Sequence, residues 1–280
     1  MELEFTKMHG LGNDFVVIDL ITQTAMLTAA DIARLGDRHT GIGFDQMLVV
    51  EPPEIPEADF RYRIFNADGS EAEQCGNGAR CFTRFVHDRK LTVKPDITLQ
   101  TNTGSIVCHL QEDGQVEVDM GEPNFDPATL PCLHSAECEL DGDTARIRLH
   151  DQTLEFALVS MGNPHAILFV DDIFTAQVER IGPAVQALPA FPNGVNVGFC
   201  QVVDRNFLRL RVFERGAGET RACGSGACAA VAAARRREFV DERVKVSLAG
   251  GKLRLSWQGP DHHIMMLGPA AVVFEGRIEL

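Results

Sequence analysis

Residues 65–85, FNADGSEAEQCGNGARCFTRF, and residues 213–233, FERGAGETRACGSGACAAVAA, are the two stretches on which the reading of this chain turns. Superposed at an offset of 148, Cys75 on Cys223, they share Phe65/Phe213, Glu71/Glu219, Cys75/Cys223, Gly76/Gly224, Gly78/Gly226 and Ala79/Ala227, six identities in 21 positions. Six identities alone decide little, but the same order of motifs extends outward from them. Gly12-Asn13 returns 150 positions later as Gly162-Asn163, and Gly43-Phe44-Asp45-Gln46 is echoed by Gly194-Val195-Asn196, with Asn196 again 150 after Gln46. The step from Asn13 to Gln46 equals the step from Asn163 to Asn196, 33 residues. Three ordered motifs at nearly one offset mark an internal repeat. The chain therefore reads as two pseudo-equivalent domains, with the junction near Gly121-Glu122-Pro123-Asn124, where a strand pattern runs into turn-forming residues.

Period-two alternation over Val116 to Met120, Phe207 to Phe213, Val244 to Leu248 and Leu253 to Trp257 predicts half-buried strands. Gly250-Gly251 between the last two predicts a hairpin turn. Helical spacing of apolar residues is found over Ala29 to Arg38, Ala79 to Arg89, Asp172 to Leu188 and Gly226 to Glu238. The class is α+β, or mixed α/β, with strand predominating.

At 280 residues the chain exceeds a common single domain, and its 45% apolar and 24% charged residues are those of an ordinary globular protein. A formal charge of −14, from 26 basic and 40 acidic residues, repels phosphate backbones and anionic lipid, which argues against nucleic-acid and membrane-surface roles. Apolar runs such as Ala227 to Ala234 are far short of the roughly eighteen residues a membrane span needs. The N-terminus MELEFTKMHG lacks the basic-then-apolar pattern of an export signal, so a cytoplasmic location and reduced cysteines are expected. The eight cysteines contain no CxxC and no cysteine-histidine spacing of a zinc site, so no metal is expected.

A reduced cysteine is ordinarily a small buried hydrophobe, and that reading suffices for Cys81, Cys108, Cys132, Cys138, Cys200 and Cys228. Cys75 and Cys223 differ because each opens a Cys-Gly-x-Gly run directly before a helical pattern. Unpaired amides and the positive end of the helix dipole favour an anion there, whether a thiolate of lowered pKa or a bound carboxylate. The glycines let the backbone approach that anion. Two thiols on repeated domains suit the inversion of a tetrahedral carbon. One group removes a proton from one face, another returns a proton to the other face, and fixed donors hold the carboxylate of the intermediate carbanion.

Beyond this chemistry the sequence resembles the diaminopimelate epimerases over essentially its whole length. The resemblance is carried by KMHGLGNDFVVID (7–19), GFDQ (43–46), RIFNADGSEAEQCGNGARCF (63–82), SMGNPH (160–165), NVGF (196–199) and FERGAGETRACGSGACAA (213–230). It implies two pseudo-symmetric domains, each a β-rich sheet wrapped around a central helix, with the active site in the cleft between them. The final strand would return to the first domain, giving residues 1–121 plus 270–280 and residues 122–269 as the two domains. The implied reaction is cofactor-independent stereoinversion at one α-carbon of LL-diaminopimelate to give the meso form. Cys75 and Cys223 match the acid/base pair, and Gly76-Asn77 with Gly224-Ser225 match the amides that hold the substrate carboxylate. Asn13, Gln46, Asn66, Asn163, Asn196, Glu214 and Arg215 match the remaining substrate contacts, and His165 and Glu214 match residues that tune the thiols. Arg215 is the candidate for gripping the distal carboxylate through two parallel hydrogen bonds. The resemblance also implies a homodimer, with Phe274 standing where many members carry tyrosine; the aromatic area remains and one hydroxyl is lost.

Taken singly, each of these residues has a plainer reading. Asn13, Asn163 and Asn196 beside glycines suit turns, His165 after Asn-Pro could close a turn, and Glu214-Arg215 could be an exposed pair of little consequence. A proline or hydroxyproline racemase-like enzyme would share fold and thiols but take a one-headed substrate, and Arg215 with the asparagines favours the two-headed one. A phenazine-biosynthesis-type isomerase of similar fold would lack the cysteine pair. A thiol redox-sensing binding module would not require the asparagine matches. None of the five lysines, Lys7, Lys90, Lys94, Lys245 and Lys252, lies in a motif for a Schiff base, so no pyridoxal phosphate is expected.

Overall fold

A computed structural model describes residues 2–72, 75–126, 130, 132–149 and 152–280. Glu73 and Gln74 of the first cysteine stretch lie outside the described residues. The chain divides into two compact units, Met1–Asp119 with Leu267–Leu280, and Met120–Met266.

In the first unit, β1 (Glu2–Gly10) and β2 (Asn13–Asp19) pair antiparallel across a two-residue turn, Leu11 and Gly12, both at positive φ (58° and 84°). Positive φ at both central residues is what a type I′ hairpin requires. Helix α1 (Ala29–Gly36) follows, started by a capping box in which Thr28 and Asp31 bond each other's backbone amides. It carries the chain over to β3 (Gln46–Glu51), which lies parallel to β2. Strand β4 (Phe60–Asn66) runs antiparallel to β3, and the short β5 (Glu71–Ala72) folds back on it. Helix α2 (Gly76–Asp88) leads to β6 (Asp96–Thr101), parallel to β4, and then to β7 (Gly104–Leu110) and β8 (Val116–Asp119) in antiparallel succession.

Helix α2 packs against β1, β2, β3, β4, β7 and β8, so the sheet encloses it. That is why β2 and β3 are apolar on both faces. Phe15 and Leu48 face α2, while Val16, Ile18 and Val49 join Ile32 and Leu35 of α1 on the outer face.

The second unit repeats these pairings. After β9 (Cys138–Asp141), β10 (Thr144–Leu149) and β11 (Gln152–Ser160), strand β12 (Pro164–Phe169) crosses through α3 (Val178–Gln186) to a parallel β13 (Asn196–Asp204). Strand β14 (Phe207–Glu214) is antiparallel to β13, β15 (Gly218–Thr220) folds back on β14, and α4 (Gly224–Arg236) leads to β16 (Arg243–Leu248), parallel to β14. Strands β17 (Gly251–Ser256) and β18 (Met265–Gly268) follow. Helix α4 is buried all round from Gly226 to Ala234, and its small side chains let β11, β12, β13, β14 and β17 close around it.

The chain ends in β19 (Ala271–Glu279), antiparallel to β1 with a bulge at Lys7/Met8, and its Val272, Val273 and Phe274 are exposed. No helix among the described residues is long and apolar enough to cross a membrane.

Two local expectations are corrected. Helix α3 begins at Val178 rather than Asp172, because Asp172 turns the chain by accepting the Phe174 amide and the Arg211 guanidinium bonds the carbonyls of Ile173 and Ala176. The last hairpin turns at Ala249-Gly250, since Leu248 pairs with Gly251.

Candidate active site

Each unit ends its β–turn–β motif on a cysteine that caps the buried helix. Cys75 (φ −147°, ψ 117°) precedes Gly76 of α2, and Cys223 (φ −116°, ψ 109°) precedes Gly224 of α4. The first amides of both helices, Gly76-Asn77 and Gly224-Ser225, therefore lie beside a thiol in the turn where a helix has no internal acceptors for them. Close packing explains the second glycine of each run. A Cβ at Gly78 would lie 2.4 Å from the hydroxyl oxygen of buried Tyr62, whose O–H donates to the Cys75 carbonyl at 3.1 Å. A Cβ at Gly226 would lie 3.2 Å from Cys223 Sγ.

The turn that delivers each cysteine is braced identically. Arg63 on β4 grips Glu71 on β5 with Nε–Oε1 at 2.8 Å and Nη2–Oε2 at 3.1 Å. Arg211 on β14 grips Glu219 on β15 with 2.7 and 2.8 Å. These bidentate forks are not singled out by the sequence alone, although Glu71/Glu219 is among the identities and Arg63/Arg211 lies two residues outside the aligned window at the same offset.

In the first unit Cys75 is half-buried and its Sγ lies 3.7 Å from Asn13 Oδ1, which also accepts from Asn77 Nδ2 at 3.2 Å. The Asn13 amide nitrogen donates to Asp45 Oδ2 at 3.0 Å, and Arg38 spans Asp45 and Asp14. Lys7 and Arg38 hold the Asp14 carboxyl at about 2, below its ordinary 3.8, against the opposing effect of burial. Gln46 and Asn66, cross-strand partners at the ends of β3 and β4, bond each other at 3.0 Å.

The second unit is wired differently at the same positions. Cys223 is buried, and its thiol donates to Glu214 Oε2 at 3.0 Å while Thr220 holds the other carboxylate oxygen. Burial first, and then the Glu214 charge and hydrogen bond, push the Cys223 thiol well above its ordinary 9.0, with the Gly226 amide and Ser225 pulling weakly the other way. The expectation that the helix start lowers this pKa is therefore overturned for Cys223: desolvation and a carboxylate outweigh the dipole. Ser225 Oγ lies 3.7 Å from the sulfur and accepts from Asn163 Nδ2 at 3.3 Å, and Asn163 Oδ1 meets His165 Nε2 at 3.0 Å. His165 thus reaches Cys223 through Asn163 and Ser225, not by a direct bond. At the strand ends, Asn196 Oδ1 accepts the Arg215 backbone N–H at 2.9 Å, and the exposed Arg215 side chain donates from Nη1 to the Asn193 carbonyl at 3.0 Å. The six remaining cysteines are buried, and desolvation raises Cys81, Cys108 and Cys200 to about 12.

His165 is fully buried and its Nδ1 has no hydrogen-bond partner among the described residues. Burial, then the Arg215 charge, lowers its pKa from 6.5 to about 3, so the ring is neutral, with Nε2–H donating to Asn163. A base whose folded pKa is depressed lends stability that is complete above the unfolded value and lost as pH falls through the folded one. The midpoint of thermal unfolding is therefore expected to drop between pH 6.5 and about 3 more steeply for the native chain than for His165→Gln. Parallel curves for the two proteins would show that His165 does not contribute.

A family model described as diaminopimelate epimerase matches residues 5–126 and 157–273. The diaminopimelate epimerase of Stutzerimonas stutzeri (strain A1501) is 54% identical over 280 residues, covering 100% of both chains. Solved structures of similar fold include a phenazine biosynthesis protein of the PhzF family from Bacillus anthracis (TM-score 0.73, 18% identity, 100% of both chains). Another is a hydroxyproline epimerase from Agrobacterium vitis (TM-score 0.70, 16% identity, 99% of this chain and 92% of that one). At those identities the two structures establish the shared fold alone.

Proposed function

The chain belongs to the diaminopimelate epimerase family, and from that premise we propose that Cys75 and Cys223 are the two groups that exchange the substrate's α-proton. The activity itself, an isomerase reaction of lysine biosynthesis, follows from the full-length relatedness. What supports the assignment of the thiols is one observation made twice: in each unit the cysteine sits at the N-cap of the enclosed helix, at the end of a fork-braced turn.

The chemistry then runs as follows. A thiolate takes the α-hydrogen as a proton, so that an S–H bond forms, the C–H bond breaks and its electron pair moves onto the carboxylate. The other cysteine, as thiol, gives its proton to the opposite face and is left as thiolate. No oxidation occurs, and the protonation states are exchanged. The Gly76-Asn77 and Gly224-Ser225 amides hold the carboxylate as its charge grows. Burial, and then the Glu214 carboxylate that accepts its S–H, keep Cys223 protonated and ready it as the donor when Cys75 acts as base. Asn13, Gln46, Asn66, Asn163, Asn196 and Arg215 supply the polar contacts that orient the two-headed substrate.

The experiment is inversion of LL-diaminopimelate in deuterium oxide by purified protein with no cofactor added. The meso product is expected with α-deuterium derived from solvent. Turnover that appears only after pyridoxal phosphate is supplied would overturn the two-thiol reading.

The protein acts as a cytoplasmic homodimer in this proposal, with β19 as the contact surface, because Val272, Val273 and Phe274 form a run of exposed apolar side chains and Phe274 is propped edge-on against Phe5 (5.9 Å between centroids). Phe274→Glu is expected to shift sedimentation from dimer to monomer at micromolar protein. A native protein that sediments as a monomer at that concentration removes the dimer.

A further inference from the structure

We propose that Arg80 is a positioning residue for proton transfer at Cys75, acting through Asn77 and Asn13. Arg80 is the largest fully buried side chain among the described residues, and a guanidinium is placed there at high desolvation cost unless its donors are well used. Its Nη2 donates to Asn77 Oδ1 at 2.8 Å, its Nε to the Pro269 carbonyl just ahead of β19 at 3.2 Å, and its Nη1 to the Gly76 carbonyl at 3.5 Å. Gly10 leaves the room: a Cβ there would lie 3.2 Å from Nη2 and 3.3 Å from the Asn77 carbonyl oxygen.

The polarity of the chain of amides follows from its charged ends. A guanidinium has donors only, so Asn77 must turn its oxygen toward Arg80 and its nitrogen toward Asn13. Asn13 must then meet Asn77 with Oδ1, and it does so at 3.2 Å. At the other end a carboxylate only accepts, so Asn13 directs Nδ2 to Asp45 at 3.0 Å. Both ends demand the same orientation, and the oxygen so fixed is the one that faces Cys75 Sγ at 3.7 Å.

The repeat supplies an internal comparison. At the matching positions the second unit has Cys228 for Arg80 and Ser225 for Asn77, and Asn163 is turned the other way, its oxygen to His165 and its nitrogen to Ser225. The thiol there is met by Glu214. The arginine-anchored relay therefore serves the first thiol alone.

The inference rests on Cys75 being a proton-transfer group, which Cys75→Ala tests separately. Its own test is a double-mutant cycle in the full-length protein, with kcat and KM for LL-diaminopimelate and thermal unfolding measured for each variant. Arg80→Met and Asn77→Leu are each expected to lower kcat on the order of 100-fold with KM within about threefold, the signature of misplaced reacting groups. The double variant is expected within about threefold of the worse single one, because both changes cut the same chain. Arg80→Lys, which keeps one donor for Asn77, is expected to recover about tenfold over Arg80→Met. Should Arg80→Met fail to fold, the cycle of Arg80→Lys with Asn77→Leu carries the same comparison. Losses that multiply, a loss confined to KM, or an Arg80→Met kcat near native would overturn the proposal. If Cys75→Ala itself retains turnover, the assignment of Cys75 fails instead.

Discussion

Alanine at either Cys75 or Cys223 is expected to lower steady-state epimerisation of diaminopimelate by about 10⁴-fold or more, with the folded state retained. Inversion needs a proton acceptor on one face and a donor on the other, so losing one thiol does not leave half the activity. It leaves deprotonation with no partner to complete it, or a carbanion that cannot form. Folding should survive because the methyl group keeps the N-cap backbone conformations, which use no side-chain cap bond. The buried Cys223 position gives up only a sulfur atom, a small cavity of about 1 kcal/mol. Circular dichroism and unfolding midpoints should track the native protein while turnover disappears. Turnover within tenfold of native in either variant sinks the pair as assigned.

The repeat was the most legible feature of the sequence, because a helix start after Cys-Gly-x-Gly is local chemistry written in consecutive residues. Helix α2 begins at Gly76 and α4 at Gly224, directly after their cysteines. The parallel crossings β2–α1–β3 and β12–α3–β13 were not written that way, since they pair strands whose partners, such as Phe15 with Gln46 and His165 with Asn196, lie 31 residues apart. The start of α3 is not legible in the sequence because Phe174 and Val178 stand four apart, a helical spacing, while the contacts that hold 173–176 out of the helix come from Arg211 on β14.

Protonation was the least legible property. A helix start beside a cysteine argues for a lowered pKa, yet Cys223 is desolvated and bonded to Glu214, nine residues earlier in the chain, and neither fact is local. The same holds for Asp45 and Arg80, whose roles arise only when the β1–β2 turn is folded beside α2. Gln46–Asn66 and Asn196–Arg215 show the intermediate case. The repeat offset singles out Gln46 and Asn196, and the family resemblance adds Asn66 and Arg215, but the pairing itself comes from strand register and the bonds at the strand ends.

Arg215→Met is expected to lower kcat/KM for diaminopimelate on the order of 10³-fold while both thiols still titrate as free cysteines, since a truncated charge–carboxylate contact typically costs several kcal/mol. The arginine is suited to a distal carboxylate by its setting. Its backbone is fixed by Asn196, its stem lies over Gly194, where a Cβ would come within 2.9 Å of Cδ, and its exposed head spends one bond on Asn193. The other guanidinium donors have no partner among the described residues and present the planar fork that a carboxylate matches. Lysine is diaminopimelate without that second carboxylate, so it would leave the fork and its neighbouring amides unmatched. Sites built on such bonds reject the deficient analogue by about 10⁴-fold. The native enzyme should therefore turn over lysine very poorly, and in Arg215→Met the gap between the two substrates should close to about tenfold, because the variant no longer reads the group that distinguishes them. Comparable rates on lysine and diaminopimelate in the native enzyme, or a variant that keeps the full preference, would mean that the second head is read elsewhere and that Arg215 does not set specificity.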